Sequence, residues 1–216
     1  MNSQVQSEVE TGEKVVIVGD MGVGKSSIVL RFVNNTFSEN LKSTIGCDHY
    51  EKELDVAGAK LKLSIWDTAG QKHLRGLPSA YYKNARCVAI VFDITKRSSF
   101  DKLEYWKDEI NNYADEHIPV IVIGNKADLA EKRVVTKEDA ENFVKKYKYL
   151  MYFETSAKDD PEKKIDEAFK YIANSITDKK KVDGTTLKGS QLKDVNKKDV
   201  NIEGEKAPEA GSGCKC

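Results

Sequence analysis

The chain has 216 residues with 35 basic and 35 acidic side chains, so its formal net charge is zero. That balance argues against non-specific nucleic-acid binding, which needs a basic footprint, and 39% hydrophobic with 32% charged residues is a globular composition, not a disordered one. No apolar run approaches the ~20 residues of a membrane-spanning helix; the longest covers residues 87–92 and ends at Asp93.

Residues 1–13 read as a polar leader. They carry Glu8, Glu10 and Glu13 and no base, so they have neither the basic start nor the apolar stretch of a secretory signal. Asn2 after Met1 does not fit a myristoylation motif. Four cysteines are too few for a disulfide framework. Cys47 and Cys87 sit in apolar contexts and read as reduced core thiols of a cytosolic protein.

Residues 15–18 (Val-Val-Ile-Val) predict a short buried strand closed by Gly19, and Ile28, Val29 and Phe32 a helix after it. Leu61, Leu63 and Ile65 alternate with polar residues, as in a strand with one buried face. Residues 88–92 and 120–123 are continuous apolar runs, expected of strands covered on both faces. Residues 149–155 supply a last strand. Helical spacing joins Phe100, Leu103, Trp106, Ile110 and Tyr113; then Ala140, Phe143, Val144 and Tyr147; then Ile165, Ala168, Phe169, Ile172 and Ile176. Asp160-Pro161 reads as a cap with proline at the first helical position. Strand–helix alternation implies a mainly parallel, doubly wound α/β sheet, with ligands at the carboxyl ends of its strands.

Three constellations fall at such ends. Residues 19–26, Gly-Asp-Met-Gly-Val-Gly-Lys-Ser, fit G-x-x-x-x-G-K-[ST] between a strand and a helix. Glycines let several N–H groups converge on one phosphate. The helix N-terminus adds positive potential. Lys25 reaches the outer phosphates and Ser26 a Mg²⁺ ion. Asn125, Lys126 and Asp128 follow the strand at 120–124; one carboxylate can accept from both the N1–H and the 2-amino group of guanine. Adenine would leave a buried Asp128 unpaired. The run Ser156, Ala157, Lys158 can add a backbone N–H to the guanine O6. Finally, Asp67 at a strand end can hold a Mg²⁺-bound water, Gly70 offers an N–H to a γ-phosphate, and Gln71 can orient an attacking water.

Together with the strings KSTIG, VFDIT, GNKADL and ETSAK, these motifs resemble the small GTPases of the Ras superfamily, and within them the Rabs. Trp66 before Asp67, the run Ser43-Thr44-Ile45-Gly46 and the Cys214-Lys215-Cys216 end favour Rab over Ras or Rho. The resemblance implies a P-loop NTPase fold, a mainly parallel six-stranded sheet with helices on both faces, and a GTP-binding domain at 14–177. It implies GTP and GDP as ligands with Mg²⁺. Gly22, Val23, Gly24, Lys25, Ser26 and Ser27 would contact phosphates. Ser26 and Thr44 would ligate the metal, Thr44 would close in switch I, and Gly70 and Gln71 would open switch II. Phe37 would flank the guanine ring, and Asn125, Lys126, Asp128, Ser156, Ala157 and Lys158 would form the base pocket. Four positions depart from the usual Rab pattern: Met21, His49, Lys72 and Leu74. His49 is expected to pack beside Trp66.

The expected chemistry is slow GTP hydrolysis by in-line water attack, with Gln71 positioning the water and Lys25, Thr44 and the metal stabilising charge. No Arg lies between Phe32 and Thr44, so the rate-enhancing arginine is expected from a GTPase-activating protein. Exchange factors and GTP-state effectors complete the partner set. Residues 178–216 carry nine Lys against seven acids and read as a solvated hypervariable tail. As a coil, its 36 residues before Cys214 span roughly 30–36 Å. The C-x-C end resembles a double geranylgeranylation signal, and two chains anchor stably where one does not. That implies a geranylgeranyltransferase, an escort and a GDP-dissociation inhibitor, with the protein on the cytoplasmic face of an endomembrane or vesicle and a cytosolic pool. Two other readings stay open: a GTP-dependent scaffold in which Met21 impairs turnover, and a small nucleotide kinase, which the scarcity of Arg and the Asn125–Asp128 run disfavour.

Overall fold

Apolar side chains occur at consecutive positions of the central strands, so each strand buries both faces. In β1 (Glu13–Gly19), Val15 and Ile17 join one core cluster while Val16 and Val18 join another. The same division holds in β4 (Cys87–Asp93) and β5 (Val120–Asn125). The structure, a computed structural model, describes residues 12–70 and 78–182. Leader residues 1–11, Gln71, Lys72, Leu74 and the tail beyond residue 182, with Cys214 and Cys216, lie outside the described residues.

β2 (Cys47–Val56), β3 (Ala59–Thr68) and β6 (Met151–Glu154) complete a six-stranded sheet ordered β2-β3-β1-β4-β5-β6. All neighbours are parallel except β2 and β3. α1 (Lys25–Asn34) and α6 (Lys164–Val182) cover one face, where Phe32 stacks on Phe169 with centroids 3.9 Å apart. α2 (Pro78–Tyr82), α3 (Arg97–Asp101), α4 (Leu103–Tyr113) and α5 (Lys137–Tyr147) cover the other.

Several expectations change in detail. β2 gives no strong apolar signal because it is the sheet edge. Its ten residues pair antiparallel with β3 across a two-residue turn, Ala57 and Gly58, both at positive φ, as hairpins of this type require. The helix expected through Phe100 and Tyr113 is interrupted at Lys102, a turn residue with φ −75° and ψ −4°, still right-handed but opened from the ideal helix. Ser99 Oγ accepts from the Asp93 N–H at 3.0 Å and pins α3 to the end of β4. Asp160 does cap α6, its two oxygens accepting from the N–H groups of Lys164 (2.7 Å) and Ile165 (3.1 Å). Pro161, however, sits in the turn before the helix and not at its first position. The last strand is shorter than expected, because the Tyr149 N–H bonds Val144 O and closes α5. Cys87 is a buried thiol, whereas Cys47 is only half-buried at the start of β2. β1 begins at Glu13 and α6 runs to Val182, each past the expected domain limits of 14 and 177.

Phe169→Ala should remove the ring that joins α1 to α6 and cost about 3–5 kcal/mol. Urea denaturation checks this through a lower midpoint at an unchanged slope.

Candidate functional site

The carboxyl ends of β1, β3, β4 and β5 lie side by side, so the chain leaving each strand enters one rim. A cavity of about 400 Å³ opens there, lined from the phosphate loop, residues 37–44, Gly70, residues 125–129 and Ala157-Lys158. Of the sequence-predicted residues that are described, Gly22, Gly24, Lys25, Ser26, Ser27, Phe37, Thr44, Gly70, Asn125, Lys126, Asp128, Ala157 and Lys158 line it, whereas Val23, Asp67 and Ser156 are buried behind its wall.

The phosphate loop curls because Gly24 adopts a φ of 97°, and a Cβ there would strike the Asn125 amide. Gly24 caps α1 without a side-chain hydrogen bond, and no acid occupies the first turn. Such an end is suited to an anion. Lys25 is buried, its ammonium donating to Gly19 O at 2.9 Å and Asp20 O at 3.0 Å. Burial pulls its pKa down to about 8 against the attraction of Asp67 and Asp20. Asp20 in turn pairs with Lys102, which the break between α3 and α4 presents. Gly70 packs directly on the backbone of Asp20 and Met21, leaving no room for a Cβ. The Met21 side chain is 57% exposed and lines the cavity.

Beside the loop, Ser26 Oγ lies 2.8 Å from Thr44 Oγ1, which donates to Asp67 Oδ2 at 3.5 Å. Asp67 is fully buried, and its Oδ1 has no hydrogen-bond partner among the described residues. Burial raises its pKa, opposed by Ser26, Lys25 and Thr44. Two hydroxyls and a buried carboxylate with one orphaned oxygen form a hard oxygen set that fits Mg²⁺.

The base side is organised by Asn125, nearly fully buried. Its Nδ2 donates to Val23 O at 2.9 Å, and its Oδ1 accepts from the Ala157 N–H at 3.2 Å and Thr155 Oγ1 at 3.4 Å. Lys126, at a φ of 71°, donates to Gly22 O at 3.0 Å and pairs with Asp93 at 2.7 Å. Asp128 is exposed on the wall of the cavity. Its Oδ1 accepts from Ser156 Oγ at 2.6 Å, which orients the carboxylate. Phe37 is half-buried and lines the cavity. His49 does pack beside Trp66, with ring centroids 5.6 Å apart.

Comparison with known proteins agrees with this geometry. Residues 14–178 match the model of the Ras family. The chain belongs to the Ras family. It is 42% identical to the Ras-related protein Rab-1 of Theileria parva over 167 residues, covering 77% of this chain and 74% of that one. It is 39% identical to the Ras-related protein Rab-19 of Rattus norvegicus over 172 residues, or 80% and 78% of the two chains. It is 36% identical to the GTP-binding protein YPT1 of Saccharomyces cerevisiae over 210 residues, or 97% and 100%. This Rab-type small GTPase is thus an enzyme of the P-loop GTPase fold and of a family that binds GTP and GDP.

Sequence reasoning missed Asp93 as a site residue. Its position at the end of β4, inside VFDIT, was the available signal. Burial favours the neutral acid, but the Lys126 ammonium and the Thr95 hydroxyl and N–H overcome it and hold the pKa below its ordinary 3.8. A depressed carboxylate stabilises the fold above its unfolded-state pKa and loses that contribution as pH falls through the folded value. Asp93→Asn should therefore cost about 1–3 kcal/mol at pH 7. The gap from wild type should close as the pH falls below 3.8. Chemical denaturation at both pH values measures it.

Proposed function

We propose that this small GTPase, a GTP-cycling regulatory enzyme of vesicle traffic, works as a two-state switch held at a membrane by its tail. The observation that carries the reading is the meeting at one cavity of the phosphate loop, the Ser26 and Thr44 hydroxyls and the Asn125, Asp128 and Ala157 pocket, with the buried Asp67 carboxylate accepting from Thr44 behind it. Val23, Gly24 and Ser27, with Gly22, Lys25 and Ser26, hold the phosphates. Lys126 and Phe37 flank the base while Asp128 reads its donor edge. When bound, Mg²⁺ supplies positive charge to the β- and γ-phosphate oxygens. Ser26 and Thr44 would be its protein ligands, with Asp67 holding a metal-bound water.

In the hydrolytic step, water attacks the γ-phosphorus in line as the bond to the β–γ bridging oxygen breaks, giving GDP and phosphate. Gln71 positions the water. Lys25 and loop N–H groups stabilise the charge that develops. Thr44 and Gly70 engage the γ-phosphate, so the surfaces they carry are ordered only with GTP, and hydrolysis releases them. Effectors read the ordered form, an exchange factor resets it, and a GTPase-activating protein brings an arginine worth about 10³–10⁵ in rate.

A second reading, a GTP-dependent scaffold with impaired turnover, is favoured by the Met21 thioether at the mouth of the cavity. Both readings expect about one guanine nucleotide released per denatured chain, identified by ion-exchange chromatography; adenine nucleotide would refute them. Single-turnover hydrolysis then separates the two. The switch reading expects Gln71→Leu to slow GTP cleavage at least about tenfold and Met21→Ser to change it little. The scaffold reading expects Met21→Ser to accelerate it.

Residues 1–13 and 178–216 are assigned as leader and tail around the domain. Geranylgeranyl chains on Cys214 and Cys216 would anchor the protein at ~0.8 kcal/mol per buried CH₂, on the cytoplasmic face of an endomembrane. A GDP-dissociation inhibitor would maintain a cytosolic pool. No described helix is long and apolar enough to cross a membrane. Mass spectrometry of the native protein should find both cysteines modified, and two free thiols would sink the anchor.

A further inference from the structure

We propose that Arg31 is a positioning residue for guanine recognition. From the far end of α1 it sets the direction of the Lys158 main-chain N–H in the Ala157-Lys158 turn, and so the preference for an oxygen at position six of the base. The inference rests on the guanine reading above.

Arg31 lies in the last turn of α1. Its Nε donates to Ala157 O at 2.9 Å and its Nη2 to Lys158 O at 3.1 Å. Nη1 donates to Asn35 O at 3.2 Å and Asn35 Oδ1 at 3.1 Å. All four acceptors are neutral oxygens, three of them main-chain carbonyls. The guanidinium therefore acts here through its rigid fork rather than through a carboxylate.

The geometry of the peptide unit carries the consequence. None of the described peptide bonds is cis, so the Ala157 carbonyl and the Lys158 N–H of one unit point in opposite directions. With the carbonyl drawn toward α1, the N–H is directed away from the helix, toward the cavity that Ala157 and Lys158 line. The neighbouring Ala157 N–H is held by Asn125 Oδ1 at 3.2 Å. Arg31 thus fixes one side of the turn while Asn125 fixes the other.

The same side chain also holds Asn35, two residues before the Phe37 that lines the cavity. Asn35 stands in the left-handed region with φ 53°, where α1 ends and the chain turns toward Phe37, the residue expected to flank the base. A second link crosses the mouth, where Lys158 pairs with Glu39 at 2.6 Å. That pair is exposed and contributes little, whereas the Arg31 fork makes four bonds. Arg31 and Ser26 are five residues apart on one helix, so the phosphate end and the base turn are joined by about 7.5 Å of rigid backbone.

The test uses the full-length chain and three diphosphates, with ADP as the adenine control. GDP has the six-position oxygen. 6-Thio-GDP replaces it with sulfur, a weak acceptor. IDP keeps the oxygen and lacks the 2-amino group read by Asp128. Wild type should bind GDP more tightly than 6-thio-GDP. Arg31→Ala should weaken GDP and IDP alike, by about tenfold, and 6-thio-GDP by less than about threefold, so the oxygen preference collapses while the GDP-to-IDP ratio holds. Arg31→Lys, which keeps the charge but not the fork, should fall between. If Arg31→Ala fails to fold, Arg31→Lys decides by the same ratios. Equal weakening of all three ligands would mean that Arg31 only supports the helix end, and overturns the proposal. A wild type that binds GDP and 6-thio-GDP equally overturns it by removing the contact. A wild type that prefers adenine nucleotide overturns the guanine reading itself.

Discussion

The Asn125 carboxamide makes three bonds to two distant parts of the chain: to the carbonyl of Val23 in the phosphate loop, and to the hydroxyl of Thr155 and the N–H of Ala157 in the turn after β6. Being nearly fully buried, it has little water to turn to if one of these partners is lost. A buried donor or acceptor left unmade costs about 1–3 kcal/mol. The loop that would hold phosphates and the turn that would read a base therefore have a common fixed point, and their spacing is set before any ligand arrives.

That arrangement depends on the sheet. β1, β4 and β5 present apolar side chains to both cores, so polar residues gather at their carboxyl ends. Asp93 and Asn125 stand at the ends of adjacent strands and are paired in register. Asp67 pairs with Ile17 near the end of β1. Burying Asp67, Asp93 and Asn125 is costly, and each answers that cost differently. Asn125 is satisfied by neutral groups. Asp93 is satisfied by Lys126 and Thr95. Asp67 keeps one oxygen without a partner among the described residues, the expected state of a group whose chemistry is directed at a cation.

Charge pairs then tie the helices to this rim. Lys102 reaches Asp20 from the break between α3 and α4, and Lys126 joins Asp93 to the carbonyl of Gly22. The bidentate Arg133–Glu154 pair, at 2.9 and 2.6 Å, holds the segment after residues 127–132 against β6. These contacts come from residues that are far apart in sequence, so local pattern alone could not place them.

The sequence by itself determined the fold class and the chemical vocabulary of the site. Strands buried on both faces, helices with a 3.6-residue stripe, and glycines where the backbone must curl are local requirements, and residues 19–26, 67–70 and 125–128 carry them in consecutive letters. The tertiary structure decided what depends on neighbours. β2 is a strand because β3 pairs with it, although its own residues alternate weakly. One expected helix became two because Ser99 is pinned to β4. Asp128 is exposed and held by Ser156, a matter of packing that spacing does not encode. The contacts of Asp93 and Arg31 were illegible for the same reason. Their partners lie 33 and 126 residues away, and only the close approach of β4 to β5, and of α1 to the turn after β6, turns an ordinary acid and an ordinary base into parts of the site.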